Sequence, residues 1–312
     1  MKVVIYDMPM QIKQSGLGKE SPEILVSAII TTYNRSDLLP VAITSVLEQT
    51  YKNIEVIVVD DGSADETEKV VNALTKKHPL IKYYRHNTPK GACAARNLGI
   101  SKANGYFIAG LDDDDTWHPE RIRLLVENYS DEYSYVTAWN EVITGDTSKV
   151  ARKKADISYK DILWENCSGH FPLIRTDRIR QLGGFDERLR SAQDLDMWSR
   201  LIKEFGNAKT IPYPLYRVYK RPGLDRISTS RNKLVGLVQY INKFKTDMSR
   251  RQINYHIFKL FMVKQKNVSF CFYIKMVPGR FLLKEFKRFI GFKLKARNKR
   301  IFELLRKLIH RK

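Results

Sequence analysis

The chain has 312 residues, 43% of them hydrophobic and 11% aromatic, which excludes a disordered protein and predicts a packed core. Its three cysteines, Cys93, Cys167 and Cys271, lack metal-ligand spacing, so we expect reduced thiols in a cytosolic protein and no zinc site. The first residues lack a secretory signal pattern, and no window approaches the roughly 20 apolar residues that cross a bilayer. We therefore expect neither a secreted nor a membrane-spanning protein.

The formal net charge of +21 is concentrated at one end of the chain. Residues 231–312 contain 23 Lys and Arg but only three acidic residues, whereas residues 1–230 contain 32 basic and 31 acidic residues. This asymmetry indicates segments with different tasks rather than a uniformly basic protein. We expect a poorly ordered arm over residues 1–22, a folded domain over 23–230 and a basic helical region over 231–312.

In chain order, the first half of the folded domain alternates between apolar runs and helix-like segments. Ser63 and Glu66 form a capping-box pattern before the second helix, and Pro119 is expected at the first position of a later one. Alternation of this kind implies right-handed crossovers and a mostly parallel sheet flanked by helices, which is a Rossmann-like α/β fold. Strands are predicted over 24–31, 54–59, 81–85 and 106–109, and helices around 39–47, 70–74 and 92–102.

Three polar clusters follow the predicted strands, at residues 31–35, 60–61 and 112–115. The ligand crevice of a parallel sheet lies at the carboxyl ends of its strands, so these clusters are expected to converge on one site. Four consecutive aspartates repel one another, and Mg²⁺ or Mn²⁺ would relieve that repulsion because both ions prefer carboxylate oxygen. The alternative is an acidic, solubilising loop that caps the next helix.

The first strand–helix connection has no glycine-rich phosphate loop, so the charge of a diphosphate must be met in another way. A divalent cation on Asp114, assisted by Asp112 or Asp113, would supply that charge. Tyr33 offers a flat face for a nucleobase, unless it packs in the core, and Asp61 offers an acceptor for a base N–H. These residues predict a nucleotide-diphosphate site.

Four motifs follow one another along the chain: Val26-Ser-Ala-Ile-Ile-Thr-Thr-Tyr-Asn34, Val59-Asp-Asp-Gly-Ser63, Gly91-Ala-Cys-Ala-Ala-Arg-Asn97 and Leu111-Asp-Asp-Asp-Asp115. In this order they resemble the family 2 glycosyltransferases of the GT-A fold, and the resemblance covers about residues 24–219. It implies inverting transfer of a sugar from a UDP-sugar with Mg²⁺ or Mn²⁺, with a nucleotide-sugar half over 23–125 and an acceptor half over 126–230. Arg35 stands where many members have Glu, so the resemblance does not assign the contacts at that corner of the base pocket.

The resemblance also implies a role for individual residues. Thr31, Tyr33 and Asp61 would hold the uracil, and Arg96 would lie near the nucleotide. Asp112 and Asp113 would bind ribose and metal, and Asp114 would ligate the metal directly.

The acceptor half contains a glycine loop, Gly183-Gly-Phe-Asp-Glu187, and then Gln193-Asp194, where the family usually has Glu-Asp. An inverting transfer needs a carboxylate to take the proton of the acceptor hydroxyl, and Asp194 is our candidate for this general base. Asp194 could instead cap the helix that follows, and Asp196 could serve in either role. That helix should turn Trp198, Leu201 and Ile202 inward. Arg217 or Arg226 could reach a diphosphate, although a solvated surface strand is an alternative.

The basic region over 231–312 is rich in Phe, Leu and Ile at helical spacing, with Lys and Arg between them. Such helices can lie in a membrane interface, where each Lys or Arg near anionic lipid contributes about 1 kcal/mol. The alternatives are a helical appendage packed on the folded domain and an RNA-binding segment, and no nucleic-acid motif supports the latter. The residues expected on single faces are Leu282, Phe286, Phe289 and Ile290, and then Ile301, Leu304, Leu305 and Leu308.

Together these features predict a peripheral enzyme at the cytoplasmic face of a bacterial inner membrane. We expect it to add one hexose, with glucose as the first guess, from a UDP-sugar to a lipid-diphosphate-linked saccharide in O-antigen or other surface polysaccharide synthesis. Polymer extrusion would require membrane-spanning helices. The alternatives are a metal-dependent nucleotidyltransferase, which would release pyrophosphate, and a basic nucleic-acid-binding protein.

Overall fold

The fold is described from a computed structural model, for residues 24–221, 230–263, 269–282, 285–286 and 289–290. These residues form two compact units. The first, here the sheet unit, comprises the described parts of Met1–Tyr159, Cys167–Glu187 and Met197–Leu224. The second, here the helical unit, comprises those of Lys160–Asn166, Arg188–Asp196 and Asp225–Lys312. The arm expected over residues 1–22 lies outside the described residues.

All strands of the described chain belong to the sheet unit, and the sequence pattern located the ends of the first four of them to within three residues. The strands are β1 Val26–Thr32, β2 Ile54–Asp60, β3 Ile81–Arg85, β4 Phe107–Asp112, β5 Thr116–Trp117, β6 Val136–Thr144, β7 Thr147–Ala151, β8 Asp156–Ile157, β9 Ile174–Arg175 and β10 Ala208–Tyr219. The helices up to residue 205 are α1 Leu39–Leu47, α2 Thr67–Lys77, α3 Ala92–Lys102, α4 Arg121–Glu127, α5 Tyr159–Ile162, α6 Thr176–Gln181 and α7 Gln193–Phe205.

The first sheet has the order β3-β2-β1-β4-β9, in which β1 to β4 are parallel and β9 is antiparallel. Every residue of β2 is buried, as expected for a central strand that is covered on both faces. Helix α1 packs on this sheet through Leu39 and Ile43, which have no solvent exposure. Truncating either side chain to Ala would cost about 2–5 kcal/mol of stability. The predicted mostly parallel, Rossmann-like sheet is therefore confirmed.

The second sheet explains why the regular alternation ends after residue 126. Its order is β5-β10-β6-β7, with β8 also paired to β10, and the parallel pair β6–β10 is its centre. The pairing of β10 with β6 shifts register on both sides of Pro214. Because proline has no N–H to donate to a strand ladder, such shifts are expected at this residue.

Two predicted helix starts are wrong. The capping box does not form, because the Ser63 hydroxyl donates to the Asp60 carboxylate, and α2 begins only at Thr67. The Asp65 carboxylate accepts from the Thr67 backbone N–H there, at 3.1 Å. Pro119 lies in the turn before α4, which begins two residues later. In the first case a short-range contact in the preceding turn replaced the expected cap.

The helical unit has an aromatic core of its own. Its helices are α8 Ser230–Phe244, α9 Arg250–Val263 and α10 Phe270–Met276, followed by a 3₁₀ turn at Gly279–Phe281. Within the described ranges, no helix combines the length and the apolar character that crossing a membrane requires. The face predicted at residues 301–308 lies outside those ranges. The buried core residues are Trp164, Tyr255, Phe258, Tyr273, Val277, Phe281 and Phe289.

Candidate active site

The strand register of the first sheet brings the three predicted polar clusters to one edge. Thr31 at the end of β1 lies abreast of Asp112 on β4 and of Val59 on β2. The next residue, Thr32, lies abreast of Asp60. Because these strands are parallel, the segments that follow them leave the sheet at the same edge, as the sequence predicted.

The segments after β1 and β2 are locked together by hydrogen bonds. Asn34 adopts a left-handed conformation with φ 51°, and its backbone N–H donates to the Ser63 hydroxyl at 2.9 Å. Its side-chain oxygen accepts from the backbone N–H of Ala64 at 2.8 Å. This turn leaves the neighbouring Tyr33 47% exposed. Tyr33 is thus not a core residue, and its ring is accessible at the edge of the sheet.

Asp61 is the anchor of the loop that leads into α3. Its Oδ1 accepts from the backbone N–H of Lys90 at 2.9 Å, and its Oδ2 accepts from that of Gly91 at 2.7 Å. The His86 ring nitrogen Nδ1 lies 2.8 Å from Oδ1. Asp61 is buried, so these contacts fix both carboxylate oxygens in direction. A contact between Asp61 and a base stays a prediction.

Helix α3 places the predicted arginine, Arg96, beside the four consecutive aspartates 112–115, here called the aspartate tract. Arg96 Nη2 lies 3.1 Å from Asp112 Oδ1, and the guanidinium stacks 5.3 Å from the centre of the Phe185 ring. The next residue, Asn97, accepts from the Phe185 backbone N–H at 2.8 Å and donates to the Phe185 carbonyl at 2.9 Å. One turn of α3 therefore holds both the glycine loop and an aspartate of the site.

Asp113 and Asp114 lie on the side of the tract that faces the β1 segment. Arg35 Nη1 is 3.4 Å from Asp114 Oδ2. Burial, together with the nearby Asp114 and Asp112 charges, raises the pKa of Asp113 to about 7, against the opposing effects of Thr32 and Arg35. The structure thus brings Arg35, which departs from the family pattern, into contact with the residue predicted to ligate metal.

The neighbours of Asp115, the last of the four aspartates, were not predicted from the sequence. Asp115 is 3% exposed, and its Oδ1 accepts from the Tyr219 backbone N–H at 2.9 Å. His170 Nε2 lies 3.9 Å from the other oxygen, Oδ2. Burial, followed by the Asp112 charge, raises the pKa of Asp115 to about 8. The possible ligand atoms of Asp112, Asp115 and His170 all lie within 4.8 Å of one another. This mixed carboxylate and imidazole set has the donors and the spacing to hold Mn²⁺.

His170 reaches the tract because β4 has a glycine at the right position. A Cβ atom at Gly110 would overlap the ring of Phe171, the residue after His170. Arg121, fully buried, donates to the Phe171 carbonyl at 3.0 Å and so fixes the same segment from the other side. The only sequence signal for this arrangement is the glycine inside a buried strand, which indicates a close approach.

The imidazole of His170 is held by two neighbours. Its ring stacks on Tyr216 with centroids 4.6 Å apart, and its Nδ1 lies 2.9 Å from the side-chain amide nitrogen of Asn140. Tyr216 also touches the tract, because its hydroxyl accepts from the Asp112 backbone N–H at 3.1 Å. Burial lowers the pKa of His170 to about 4. The neutral ring, which is the form that binds metal, is therefore favoured near neutral pH.

Behind Asn140 lies the side-chain nitrogen of Lys153. Its Nζ donates to Asn140 Oδ1 at 3.1 Å and to the Ser168 carbonyl at 2.7 Å, and it also contacts the Ala138 carbonyl. Burial, followed by the charge of Arg121, holds the pKa of Lys153 well below its usual range. Lys153 thus supports Asn140 and the loop that carries His170 at once, without contacting the carboxylates itself.

The candidate base lies in the other unit. Asp194 is half-buried in the first turn of α7, and the inward positions predicted for Trp198, Leu201 and Ile202 are confirmed. Asp196, the alternative base, is fully buried and 2.6 Å from Lys243 Nζ. Arg217 Nε is 3.3 Å from Glu141 Oε2, and Arg226 lies outside the described residues. The roles of Asp194 and Arg217 stay predictions.

This sheet, with an acidic tract and a histidine at its carboxyl edge and a second small sheet beside it, defines a glycosyltransferase of the GT-A fold. The chain belongs to glycosyl transferase family 2, whose model matches residues 27–186. It is 30% identical over 257 residues to an Escherichia coli K12 protein named for colanic acid biosynthesis, WcaA, covering 78% of this chain and 90% of that one. It is 30% identical over 215 residues to the GalNAc(5)-diNAcBac-PP-undecaprenol beta-1,3-glucosyltransferase of Campylobacter jejuni, covering 66% of this chain and 69% of that one.

Solved structures agree on the fold. Residues 1–349 of S. aureus TarS in complex with UDP-GlcNAc superpose with a TM-score of 0.58 at 19% identity, covering 86% of this chain and 79% of that one. The mannosyltransferase PcManGT of Pyrobaculum calidifontis, in complex with GDP-Man and Mn²⁺, gives 0.57 at 18% identity, covering 70% and 65%. The predicted GT-A fold is confirmed.

Proposed function

We propose that this glycosyltransferase transfers one hexosyl group, with inversion, from a UDP-sugar to a lipid-diphosphate-linked saccharide during surface polysaccharide synthesis. The observation that carries the proposal is the group of Asp112, Asp115 and His170 at the sheet edge, which also carries Arg96 in contact with Asp112 and, after β1, the exposed Tyr33. Such a group suits a nucleotide diphosphate, whose negative charge needs a cation and whose base needs a flat partner.

The residues present fit a resident Mn²⁺ or Mg²⁺ ion. Asp112, Asp115 and His170 would hold it, and the imidazole nitrogen favours Mn²⁺ over Mg²⁺ because Mg²⁺ prefers oxygen donors alone. Asp114, the ligand expected from the family pattern, is the competing candidate. When bound, the ion would neutralise charge on the diphosphate. Burial, together with the charges of Asp112 and Asp114, raises the pKa of Asp113 and Asp115, so a cation bound here would stabilise their ionised forms.

The chain's own residues would then orient the donor and activate the acceptor. Tyr33 stacks on the uracil, Thr31 and Asp61 contact it, and Arg96 lies along the diphosphate while it fixes Asp112. Asp194 takes the proton of the acceptor hydroxyl as its oxygen forms the new bond to the anomeric carbon. The bond from that carbon to the diphosphate oxygen breaks at the same time, and UDP leaves with the electron pair.

The donor and acceptor classes rest on the relatives' names. The Campylobacter relative is named as a glucosyltransferase that acts on an undecaprenol diphosphate-linked saccharide, which supports glucose as the hexose and a lipid diphosphate as the acceptor carrier. The solved neighbours carry UDP-GlcNAc in one case and GDP-Man in the other, so the choice of UDP rests on the motifs of this sequence.

A lipid-linked acceptor lies in a membrane, and the basic region offers a means to reach it. Its 23 Lys and Arg against three acids favour the anionic cytoplasmic leaflet of a bacterial inner membrane. We therefore place the enzyme there as a peripheral protein, attached through residues 231–312. No nucleic-acid partner is proposed.

The test is UDP release from UDP-glucose, UDP-galactose and UDP-GlcNAc, with an undecaprenyl diphosphate-linked saccharide and either Mn²⁺, Mg²⁺ or EDTA. We expect turnover that requires the lipid acceptor and the metal, and that is fastest with UDP-glucose. Release of pyrophosphate from a nucleoside triphosphate, with no UDP from any sugar donor, would instead establish a nucleotidyltransferase and refute the proposal.

Four variants assign the metal ligands. Asp115→Asn and His170→Gln should each weaken Mn²⁺ binding at least tenfold, measured by electron paramagnetic resonance of free Mn²⁺. Asp146→Asn, in the exposed turn between β6 and β7, is the matched control and should bind like the wild type. If Asp114→Asn abolishes binding while Asp115→Asn leaves it intact, the ligand set is the one inferred from the family pattern.

A further inference from the structure

The helical unit presents apolar side chains outward on α10. Phe270 and Ile274, one helical turn apart, are 55% and 49% exposed. Tyr273, which lies between them on the same side of the helix, and Val277, just after the helix, are 1% and 3% exposed and belong to the aromatic core. Packing inside the unit therefore covers Tyr273 and leaves about half of Phe270 and Ile274 exposed beside it.

The described residues after the 3₁₀ turn repeat this arrangement. Phe286 and Ile290 are 40% and 38% exposed, again four residues apart. Glu285 and Phe289 are buried at 2% and 3%, and the Glu285 carboxylate accepts from the Tyr255 hydroxyl at 3.0 Å. The single face predicted for this segment is thus divided, since Phe289 faces inward whereas Phe286 and Ile290 face outward.

The two exposed pairs border the same aromatic stack. Tyr273 and Phe289 stack with ring centroids 4.9 Å apart. The Phe270 ring lies 6.3 Å from Phe289, and the Phe286 ring lies 6.1 Å from Tyr273. We call Phe270, Ile274, Phe286 and Ile290 the outer patch. Four large, exposed apolar side chains around one stack are more than the scattered exposure that is normal for a protein surface.

The charge around the outer patch identifies what covers it. Residues 251–290 contain nine Lys and Arg and a single acid, the buried Glu285. A second copy of the chain would bring the same positive charge to the contact and be repelled. An anionic bilayer supplies both the opposite charge and an apolar layer beneath it, which is the combination that interfacial segments use.

We propose that the outer patch inserts into the interfacial layer of an anionic membrane, so that attachment is hydrophobic as well as electrostatic. This rests on the membrane attachment proposed above and names the residues that enter the bilayer. Insertion buries aromatic and aliphatic side chains that are only about half covered in the protein itself. Removing two of them should lower the vesicle partition coefficient about 10- to 100-fold.

The experiment uses the full chain and vesicles of phosphatidylcholine with or without 30% phosphatidylglycerol. Phe270→Ser/Ile274→Ser is the test variant. Val235→Ser/Val238→Ser is the matched control, since these α8 side chains are 42% and 43% exposed and lie outside the outer patch. Circular dichroism and thermal unfolding check that each variant folds. UDP release with a water-soluble acceptor should be equal in all of them, which separates failure of membrane insertion from failure of the glycosyltransferase itself.

A second variant reports insertion directly. Phe286→Trp should show blue-shifted emission on anionic vesicles and should be quenched by lipids brominated near the head of the acyl chain. Binding of the test variant equal to the wild type, or binding that high salt removes completely, would overturn insertion and leave only surface electrostatics. A wild-type dimer in solution that the test variant loses would overturn it as well, in favour of a contact between copies of the chain.

Discussion

Glu55 is a buried carboxylate that joins four segments of the first sheet, and its protonation should control the stability of that sheet. Its Oε1 accepts from the Ser27 hydroxyl and from the Asn104 backbone N–H, each at 2.6 Å. Its Oε2 accepts from Lys82 Nζ at 2.6 Å and from the Asn104 side chain at 3.2 Å. Glu55 itself is 6% exposed, so solvent screens these contacts little.

Burial alone would raise the pKa of Glu55, but the hydrogen bonds from Lys82, Ser27 and Asn104 outweigh it and lower the pKa from 4.5 to about 2. At 1.36 kcal/mol for each pKa unit, this difference corresponds to about 3 kcal/mol of stability. Because the folded pKa is the lower one, the stabilisation is complete above pH 4.5 and is lost as the pH falls towards 2.

The perturbation is Glu55→Gln, which cannot ionise and turns an amide N–H₂ group towards donors. We expect it to lose about 3 kcal/mol relative to the wild type at pH 7 and to approach the wild type near pH 2. The assay is urea unfolding followed by circular dichroism at several pH values. Glu66→Gln is the control, because Glu66, just before α2, pairs with Lys69 in an exposed position and should change little. A difference between Glu55→Gln and wild type that is the same at every pH would refute the reasoning.

Three further predictions concern the site. Gly110→Ala should displace the loop that carries His170, lower the stability by about 1–3 kcal/mol in thermal unfolding and weaken Mn²⁺ binding. Mn²⁺ binding as tight as in the wild type would contradict this role for Gly110. Lys153→Met keeps a side chain of similar length, so the fold should stay intact, but Mn²⁺ binding should weaken about 10- to 100-fold. The coupling of Mn²⁺ to the imidazole nitrogen in the electron spin echo spectrum should also decrease. Unchanged coupling would show that Lys153 does not position the His170 ring. Asp194→Ala should retain UDP binding by calorimetry and lose turnover at least 100-fold, whereas normal turnover would remove it as the base.

The parts of this protein that the sequence predicted are those that depend on local pattern. Near-continuous apolar runs located β1 to β4. Their alternation with helices predicted a parallel sheet, and in that sheet Thr31 lies beside Asp112. Arg96 was expected near the same edge and lies 3.1 Å from Asp112. In each case the geometry of a regular element carries the residue to its place.

The parts that the sequence did not predict depend on contacts between distant segments. His170 lies on an irregular loop, and its position depends on the missing Cβ of Gly110, sixty positions earlier. Asp115 was indistinguishable from its three neighbours until the Tyr219 N–H singled it out. The capping box failed because Asp60, a buried acceptor, competes more strongly for the Ser63 hydroxyl than an exposed helix end does.

Arg96 and Asn97 are consecutive residues of α3, yet Arg96 pairs with Asp112 and Asn97 hydrogen-bonds to the glycine loop. A helical turn is stiff, so these two contacts cannot change independently. A small displacement of the glycine loop would move Asn97, and through the adjacent Arg96 it would also move Asp112. The loop and the aspartates are thus mechanically coupled over a short distance, and a cross-link that immobilises residues 184–187 should slow any rearrangement of the carboxylates.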